Sequence, residues 1–330
     1  MRKVVVKDND SGKRIDSFLE KTFPNLPKSL MYKEIRKKNI KVNGKRVEIS
    51  YRLHTNDNID LYVSDEFLDN KPNNFYEYSV KYLEFIYEDT NIVLIYKPNG
   101  LLSQKDENGF GDTAENRLRG HLIEKSEYDP ENENSFVPSL CNRLDRNTEG
   151  ILIAAKNAEA LRVMNEKIKN RELEKRYLCM TVGVPPKKQA VLTAYHVKDE
   201  KNKKASIYDS PAPGRKEIKT EYRVIDDNGE FALVEILLHT GRTHQIRAHM
   251  AHIGYPLLGD SKYGNFAVNK KYGIKSQKLC AYKLKFAFTS DAGILNYLNG
   301  KEFEVKATFA FPNSRADKNL CADKANAPFS

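Results

Sequence analysis

The sequence has no long apolar run. None of its hydrophobic stretches approaches the roughly 20 residues that a membrane-spanning helix needs. Residues 1–8 also lack the continuous apolar core of a signal peptide. We therefore expect a soluble, cytoplasmic protein that has no membrane partner.

Cysteine is scarce and scattered. The four cysteines, Cys141, Cys179, Cys280 and Cys321, form no C-x-x-C pair, so the sequence indicates neither a zinc knuckle nor a disulfide framework. Residues 109–114 match a dinucleotide-binding glycine fingerprint only superficially, because no apolar strand precedes them. We predict no metal site and no organic cofactor, which makes a metal-dependent nuclease a poor hypothesis.

Positive charge is in excess and unevenly distributed. The chain holds 55 Lys and Arg against 45 Asp and Glu, a net charge of +10. Residues 1–64 alone hold 15 basic and 8 acidic residues. This distribution indicates an anionic partner for the N-terminal segment, although charge alone does not separate nucleic acid from a membrane surface.

The N-terminal segment has the pattern of a small α/β module. A first helix is predicted by four apolar residues at helical spacing, Ile15, Phe18, Leu19 and Phe23. Ser29 is a candidate N-cap for a second helix over residues 30–38. Asn43 and Gly44 then predict a hairpin turn, because both tolerate positive φ. A closing strand is expected over residues 59–63.

This order of elements resembles the S4 RNA-binding module. The resemblance implies phosphate contacts from the basic residues of the second helix and the hairpin: Lys33, Arg36, Lys37, Lys38, Lys41, Lys45 and Arg46. A solvated basic helix end is the alternative interpretation. We assign residues 1–64 to this module.

The rest of the chain is predicted to form an interdomain linker, a larger domain and a tail. The linker is placed at residues 65–82, the larger domain at 83–315 and a disordered tail at 316–330. Short alternating segments favour an α+β fold with a mixed, mostly antiparallel sheet, including strands at 191–197, 219–225 and 231–238. Residues 105–139, which are polar and acid-rich, and residues 198–219, which are basic, are expected to contain mobile loops.

Asp145 is the candidate nucleophile. It lies between Arg143 and Arg146, just before the short apolar run of residues 151–155 that indicates a buried strand. For an arbitrary sequence of this kind, a surface ion pair is the usual interpretation. Other segments of the chain favour a catalytic one.

Several segments together resemble the RluA-type RNA pseudouridine synthases, in particular RluC/RluD-like members with an N-terminal S4 module. The matching segments are residues 97–101, 143–150, 175–183, 238–264 and 278–284. The longest of these, which contains Thr240-Gly241-Arg242-Thr243, resembles the C-terminal signature of the family.

The resemblance implies a role for each matched residue. It implies three catalytic residues, Asp145 as nucleophile, Tyr177 against the face of the uracil, and Arg242 paired with the aspartate. It implies four substrate-binding residues, Arg143 entering the space that the base vacates, Leu279 opposite the tyrosine, Lys97 framing the cleft, and Asn142. Asn142, Glu149 and Cys280 depart from the common family residues, and a buried Glu149 close to Asp145 could raise the pKa of that carboxyl.

The expected function is the isomerisation of specific uridines to pseudouridine in RNA, by a monomer. Asp145 would attack the ribose C1′ or the uracil C6, or act on the C2′ proton, and these routes stay open. Large-subunit (23S) rRNA is the preferred substrate and tRNA the second. The non-enzymatic alternative is an S4-containing RNA-binding or ribosome-assembly factor without catalysis.

Overall fold

The structure is a computed structural model that describes residues 1–69, 77–105 and 111–312. The predicted tail at 316–330, Cys321, and Gly109 and Phe110 of the predicted loop lie outside these ranges. Within them, no helix is both long enough and apolar enough to cross a membrane.

The N-terminal module is a four-stranded sheet covered by two helices. Its elements are β1 (Arg2–Val5), α1 (Ile15–Thr22), α2 (Lys28–Arg36), β2 (Ile40–Val42), β3 (Lys45–Arg46) and β4 (Asn58–Leu61). The strand order is β1-β4-β2-β3. Asn43 and Gly44 take φ of 51° and 71° between β2 and β3, as the hairpin pattern predicts.

Two boundaries of this module differ from the sequence predictions. Helix α2 begins at Lys28 after Pro27, whose side chain provides no cap, so Ser29 lies inside the helix. Leu68 is buried in the module's hydrophobic core, and Arg2 donates to its carbonyl oxygen. The packed module therefore extends past residue 64, into the range assigned to the linker.

The larger domain is built on one extended sheet. Its strands are β5 (Glu84–Glu88), β6 (Ile92–Lys97), β7 (Ser139–Leu140), β8 (Glu149–Ala155), β9 (Leu173–Val182), β10 (Gln189–Asp199), β11 (Lys204–Tyr208), β12 (Lys216–Asp227), β13 (Phe231–Leu238), β14 (Leu279–Phe286) and β15 (Glu302–Glu304). The main path runs β11-β10-β12-β13-β9-β14-β8-β6-β5. Among the described strands, β8 and β14 pair in parallel and the other pairs are antiparallel. The predicted mixed, mostly antiparallel α+β fold is confirmed.

Helices cover both faces of this sheet. They are α3 (Ala114–Glu124), α4 (Ala158–Lys169), α5 (Gln245–His252) and α6 (Phe266–Tyr272). Successive side chains of β8 face opposite sides of the sheet. Leu152 packs in the core with α3 and α5, and Ile153 packs in the core with α4. Because both faces are covered, every residue of β8 is buried.

Two segments expected to be loops contain regular structure. Thr113 caps α3 by accepting from the backbone N–H of Asn116, a cap that the polar composition of residues 105–139 concealed. Strand β11 lies within residues 198–219 and pairs with β10. The loop predicted over residues 198–219 is therefore wrong, because high polarity does not exclude an edge strand.

The two domains are joined by polar contacts around the fully buried Asp10. Its carboxylate accepts from the Asn134 amide at 2.8 Å, the Ser135 hydroxyl at 2.5 Å and the Lys13 ammonium at 3.3 Å. The loop that carries Asn134 and Ser135 belongs to the larger domain. The S4-like module is therefore held against that domain by hydrogen bonds as well as by the chain connection.

Gly150 permits the close approach of β8 to β14. Its φ is +113°, and a Cβ built there would lie 2.3 Å from the carbonyl oxygen of Ala281. Gly214 has a φ of +80°, but no atom lies within 4 Å of its Cβ position. An alanine at Gly150 would therefore cause both backbone strain and a steric clash, whereas an alanine at Gly214 would cause backbone strain alone.

We expect Gly150→Ala to destabilise the protein by at least about 2 kcal/mol, because strain and a backbone clash add. Gly214→Ala should cost about 1 kcal/mol from strain alone. Urea denaturation of both variants measures the difference. Equal free energies of unfolding for the two variants would show that the β8–β14 approach does not need a glycine.

Candidate active site

Asp145 lies at the entry to the central strand β8. Its backbone carbonyl accepts from the N–H of Thr148, which closes a turn immediately before the strand. The side chain of Ser103 binds both the N–H and the carbonyl of Leu144, at 3.0 and 2.8 Å. The Asp145 side chain is 30% exposed, so the carboxylate is held on a fixed turn and remains accessible.

Lys97 is a structural lysine, and the prediction that it binds substrate is wrong. Its side chain is fully buried, and its ammonium donates to the carbonyl oxygens of Pro98, Leu101 and Arg146 at 2.7–2.9 Å. Burial lowers the pKa of Lys97 to about 7. Lys97 thereby ties the turn after β6 to the turn that carries Asp145, behind the site and not within it.

The guanidinium partner of Asp145 is Arg247, in the first turn of α5. Its Nη1 donates to Oδ2 of Asp145 at 2.7 Å. Its Nε and Nη2 donate to the two oxygens of Asp260, at 2.7 and 2.9 Å. The arginine is therefore oriented by a bidentate contact on one side and presents its remaining nitrogen to the candidate nucleophile.

Arg247 and Asp260 keep each other charged in a buried place. Burial disfavours the charge on both, but hydrogen bonds and opposite charge outweigh it, so the pKa of Arg247 is raised and that of Asp260 is lowered. Asp260 also accepts from the backbone N–H groups of Lys262 and Tyr263. The pair is thus a permanently charged support for the site.

The predicted pairing of Arg242 with Asp145 is wrong. Arg242 is exposed, and within the described ranges its side chain makes no hydrogen bond or ion pair. Its backbone N–H donates to Oε1 of Gln245 and so helps to shape the turn before α5. Arg242 and Arg247 both line the cavity at Asp145, Arg242 as an exposed residue and Arg247 as a buried one.

The cavity at Asp145 has a volume of about 90 Å³. Three further predicted residues line it: Arg143, Tyr177 and Leu279. Tyr177 on β9 and Leu279 at the start of β14 are buried, whereas Arg143 is exposed. Burial raises the pKa of Tyr177 above its ordinary value, so its hydroxyl stays protonated at neutral pH. The structure thus brings together five of the seven predicted site residues, and their roles stay predictions.

Asn142 is the second predicted substrate-binding residue that lies outside the cavity lining. Its side-chain oxygen accepts from the backbone N–H of Ile153 at 2.8 Å. It therefore joins the start of the Asp145 loop to β8. Asn142 therefore supports the loop, and its contact with substrate stays a prediction.

Glu149 and Cys280 are both buried at the β8–β14 junction. Both oxygens of Glu149 are engaged by Thr308, whose N–H and hydroxyl donate at 2.7 and 2.6 Å. Burial, followed by the nearby Glu149, raises the pKa of the Cys280 thiol. Neither residue lines the cavity, so Glu149 faces a different environment from Asp145 although the two are close in sequence.

His244 was missed as a site residue. It precedes α5 with a φ of 55°, and its Nδ1 lies 2.9 Å from the Tyr263 hydroxyl. Its Nε2 lies 3.7 Å from Oδ2 of Asp145. Burial lowers the pKa of His244 to about 4, with Asp145 opposing the shift, so the imidazole is neutral at pH 7. Arg247 is therefore the charged partner of the carboxylate under ordinary conditions.

A signal for Arg247 and Asp260 was present in the sequence. Arg247 stands among Ile246, Ala248 and Met250 on a short helix, and a buried arginine requires a carboxylate partner. Asp260 follows two buried leucines and a glycine, a place where an unpaired carboxylate would be costly. Sequence spacing alone did not connect the two.

The predicted RNA-binding cations lie on the end of α2 and on the β2–β3 hairpin. Six of them are exposed: Lys33, Arg36, Lys37, Lys38, Lys45 and Arg46. Lys41 is partly buried, pairs in register with Arg46, and holds its ammonium 5.3 Å from the ring centroid of Tyr62. The contacts of these side chains with RNA stay a prediction.

Within the described ranges, no three His, Cys, Asp or Glu side chains are grouped so that they could hold a metal ion. The arrangement that the structure does show is an ionisable carboxylate, oriented by a buried guanidinium, beside an aromatic ring and a leucine. Such a site can carry out nucleophilic or acid–base chemistry on a flat base held between apolar surfaces.

Comparisons with known proteins agree with this description. The family model for RNA pseudouridylate synthase matches residues 91–252, and the S4 domain model matches residues 13–59. An uncharacterized RNA pseudouridine synthase of Mycoplasma capricolum is 32% identical over 91% of this chain and 96% of its own length. Ribosomal large subunit pseudouridine synthase D of Borreliella burgdorferi is 32% identical over 80% of this chain and 78% of its own.

A solved structure shares the fold. Human RNA Pseudouridylate Synthase Domain Containing 4 aligns with a TM-score of 0.53 and 22% identity, over 68% of this chain and 88% of its own. The fold and the site thus define an RNA-modifying enzyme with an N-terminal S4 module. The chain belongs to the RNA pseudouridine synthase family, as the sequence resemblance predicted.

Replacing Arg247 should be far more harmful than replacing Arg242. We expect Arg247→Lys to lower kcat/KM by about 100-fold or more, because a point charge cannot bind Asp260 bidentately and still reach Asp145. Arg242→Lys keeps a charge at an exposed position and should cost less than about tenfold. Steady-state rates on one RNA substrate test this, and equal losses in the two variants would contradict the assignment of Arg247.

Acidification should destabilise the protein partly through His244. The pKa of a histidine in the unfolded chain is about 6.5, whereas the pKa of His244 in the folded protein is about 4. As the pH falls, the unfolded state therefore binds the proton first. The stability associated with the neutral imidazole is present above pH 6.5 and is lost as the pH falls towards 4. His244→Asn, which tolerates positive φ, should therefore lose less free energy of unfolding than the wild type between pH 7.5 and 4.5.

Urea denaturation of both proteins at these two pH values measures the difference. The wild type should lose about 1–3 kcal/mol more than the variant. An identical loss in both would show that His244 is not buried in its neutral form.

Proposed function

We propose that the enzyme isomerises specific uridines of large-subunit rRNA, with Asp145 as its nucleophile. The observation that carries the proposal is the accessible Asp145 carboxylate, which Arg247 binds at 2.7 Å in a cavity that Tyr177 and Leu279 also line. The preference for large-subunit rRNA is supported by relatives with that substrate in their names, such as the Borreliella burgdorferi protein.

The geometry suits the chemistry of pseudouridine formation. The reaction breaks the bond between uracil N1 and ribose C1′, turns the base and joins C5 to C1′, after which C5 loses its proton and N1 carries one. A carboxylate can form and release a covalent bond to C1′ or C6, or move the C2′ proton, without any cofactor. The hydrogen bond from Arg247 at 2.7 Å fixes the direction of the carboxylate, which each of these routes needs.

Tyr177 and Leu279 provide the surfaces that would hold the detached base. A base that leaves its stack loses a few kcal/mol of stacking, which contact with an aromatic ring and an apolar side chain replaces. The exposed Arg143, two residues before Asp145, can enter the space that the base leaves in the RNA. The exposed cations of α2 and the hairpin would bind phosphates at a distance from the reaction.

The experiment is tritium release from unmodified large-subunit rRNA labelled at uridine C5, without added metal. We expect release by the wild type and a loss of at least about 10³-fold with Asp145→Asn, with RNA affinity retained in the variant. Labelled tRNA in parallel separates the two substrate classes. Release that persists in Asp145→Asn would overturn the role of Asp145.

The same assay also distinguishes the non-catalytic alternative. An RNA-binding factor would bind rRNA but release no tritium from either labelled RNA, with or without Asp145. Release from tRNA alone would keep the enzyme and overturn the proposed substrate.

A further inference from the structure

A second, larger cavity of about 360 Å³ adjoins the catalytic one. It lies between the end of α4, the start of β9 and the turn that follows β13. Leu238 and Arg242 line both cavities, so the two are immediate neighbours. Lys175 in the larger cavity lies two residues before Tyr177 on β9, roughly 7 Å along the strand.

The lining of this cavity carries four cations and no carboxylate. The cations are Lys169, Arg171, Lys175 and Arg242. Within the parts of the chain that the structure describes, none of their side chains makes a hydrogen bond or an ion pair. The cavity therefore concentrates positive charge that the protein itself does not neutralise.

The cations closest to these four on α4 and β9 are paired. Lys167, two residues before Lys169 on α4, binds Glu172 at 3.0 Å. Arg176, next to Lys175 on β9, binds Glu235 at 3.2 Å. The cations next to the cavity on α4 and β9 thus have carboxylate partners, whereas the four that line the cavity have none among the described residues.

Lys175 is the member whose position is hardest to explain by solvation alone. It is partly buried, and burial lowers its pKa with no compensating carboxylate. A desolvated ammonium without a partner costs free energy in the free protein. An anion that enters the cavity would pair with the ammonium and remove this cost. An unpaired cation in a cavity therefore indicates a site for an anionic ligand.

We propose that this cavity binds backbone phosphates of the RNA strand next to the target nucleotide. Phosphodiester oxygens suit the lysines as point charges and the arginines as planar donors. Because Arg242 and Leu238 border both cavities, a strand with its base in the catalytic cavity would continue across the larger one. This inference rests on the proposed function, and it extends it from the reacting base to the chain that carries it.

The primary test compares two double variants. Lys169→Gln/Arg171→Gln removes two exposed cations of the cavity, whereas Lys270→Gln/Lys275→Gln removes two exposed lysines in and just after α6. Helix α6 packs Tyr272 against Phe231 at the opposite end of β13 from Leu238. Both variants change the net charge equally.

Affinity for an unmodified large-subunit rRNA transcript is measured as a function of salt. A single-stranded phosphate contact contributes about 0.7 to the slope of log affinity against log salt. The cavity variant should weaken binding by about tenfold or more at 0.1 M salt and reduce the slope by roughly 1.4. The α6 variant should keep the wild-type slope. Equal slopes in the two variants would overturn the proposal.

Lys175 gives an independent second test. Lys175→Met removes an unpaired, partly buried cation, so the melting temperature of the variant should equal or exceed that of the wild type while its RNA affinity falls several-fold. Lys175→Arg, which keeps the charge, should recover most of the affinity. A lower melting temperature together with unchanged affinity would assign Lys175 a structural role and overturn its place in the site.

The assays separate this proposal from the proposed function. Salt-dependent binding does not require turnover, so it is informative even if no tritium is released. Inorganic phosphate serves as the small-anion probe. If phosphate at millimolar concentration raised the melting temperature as much as the RNA does, the cavity would be a site for a small anion and the assignment to an RNA strand would fail.

Discussion

The buried bridge from Asp260 through Arg247 to Asp145 is the interaction on which the site depends. A guanidinium has donors in several fixed directions, so it can be oriented by one carboxylate and still serve another. Asp260 is fully inaccessible at its side chain, and Asp145 is 30% exposed. The same guanidinium thus binds a fully buried carboxylate, Asp260, and a partly exposed carboxylate, the candidate nucleophile Asp145.

The sheet makes this bridge possible by bringing distant segments together. Asp145 lies in the turn before β8, and Tyr177 lies on β9. Leu279 is the first residue of β14, and Arg247 lies on α5, the helix after β13. These four strands are consecutive neighbours in the sheet order. The parallel pairing of β8 with β14 places the beginnings of both strands at the same edge, and the close approach at Gly150 joins them there.

Electrostatic pairing divides the cations of this protein into two groups. Those inside the fold, such as Lys97 and Lys167, have carbonyl or carboxylate partners, which offset the free-energy cost of desolvating the ammonium. Those that line the larger cavity make no side-chain hydrogen bond or ion pair among the described residues, and the same holds for five cations of the S4-like module: Lys33, Lys37, Lys38, Lys45 and Arg46. This division is consistent with a fold in which buried cations bind protein groups and unpaired surface cations remain available to a polyanion. Lys175 belongs to neither group fully, because it is partly buried and has no partner.

The sequence could predict the α+β class, the S4-like module, the family and the presentation of the Asp145 segment at a site, because each depends on local patterns. Helical spacing, an Asn-Gly turn and continuous motifs depend on residues that are close along the chain. The exposed or buried state of Arg143, Tyr177 and Leu279 and their common cavity required the three-dimensional structure. Polar composition concealed α3 and β11, since capping and edge pairing depend on contacts that composition does not record.

By itself, the sequence determined which segments form the site, but only the tertiary structure decided which side chains of those segments meet. Arg242 and Arg247 lie five residues apart in one motif, and the left-handed backbone at His244 turns the chain between them. One arginine therefore remains at the exposed rim, and the other enters the core on α5. Lys97 and Asn142 are likewise directed into backbone contacts behind the site. The physical reason is that side-chain direction depends on backbone dihedrals and on packing between elements distant in sequence, and linear spacing specifies neither.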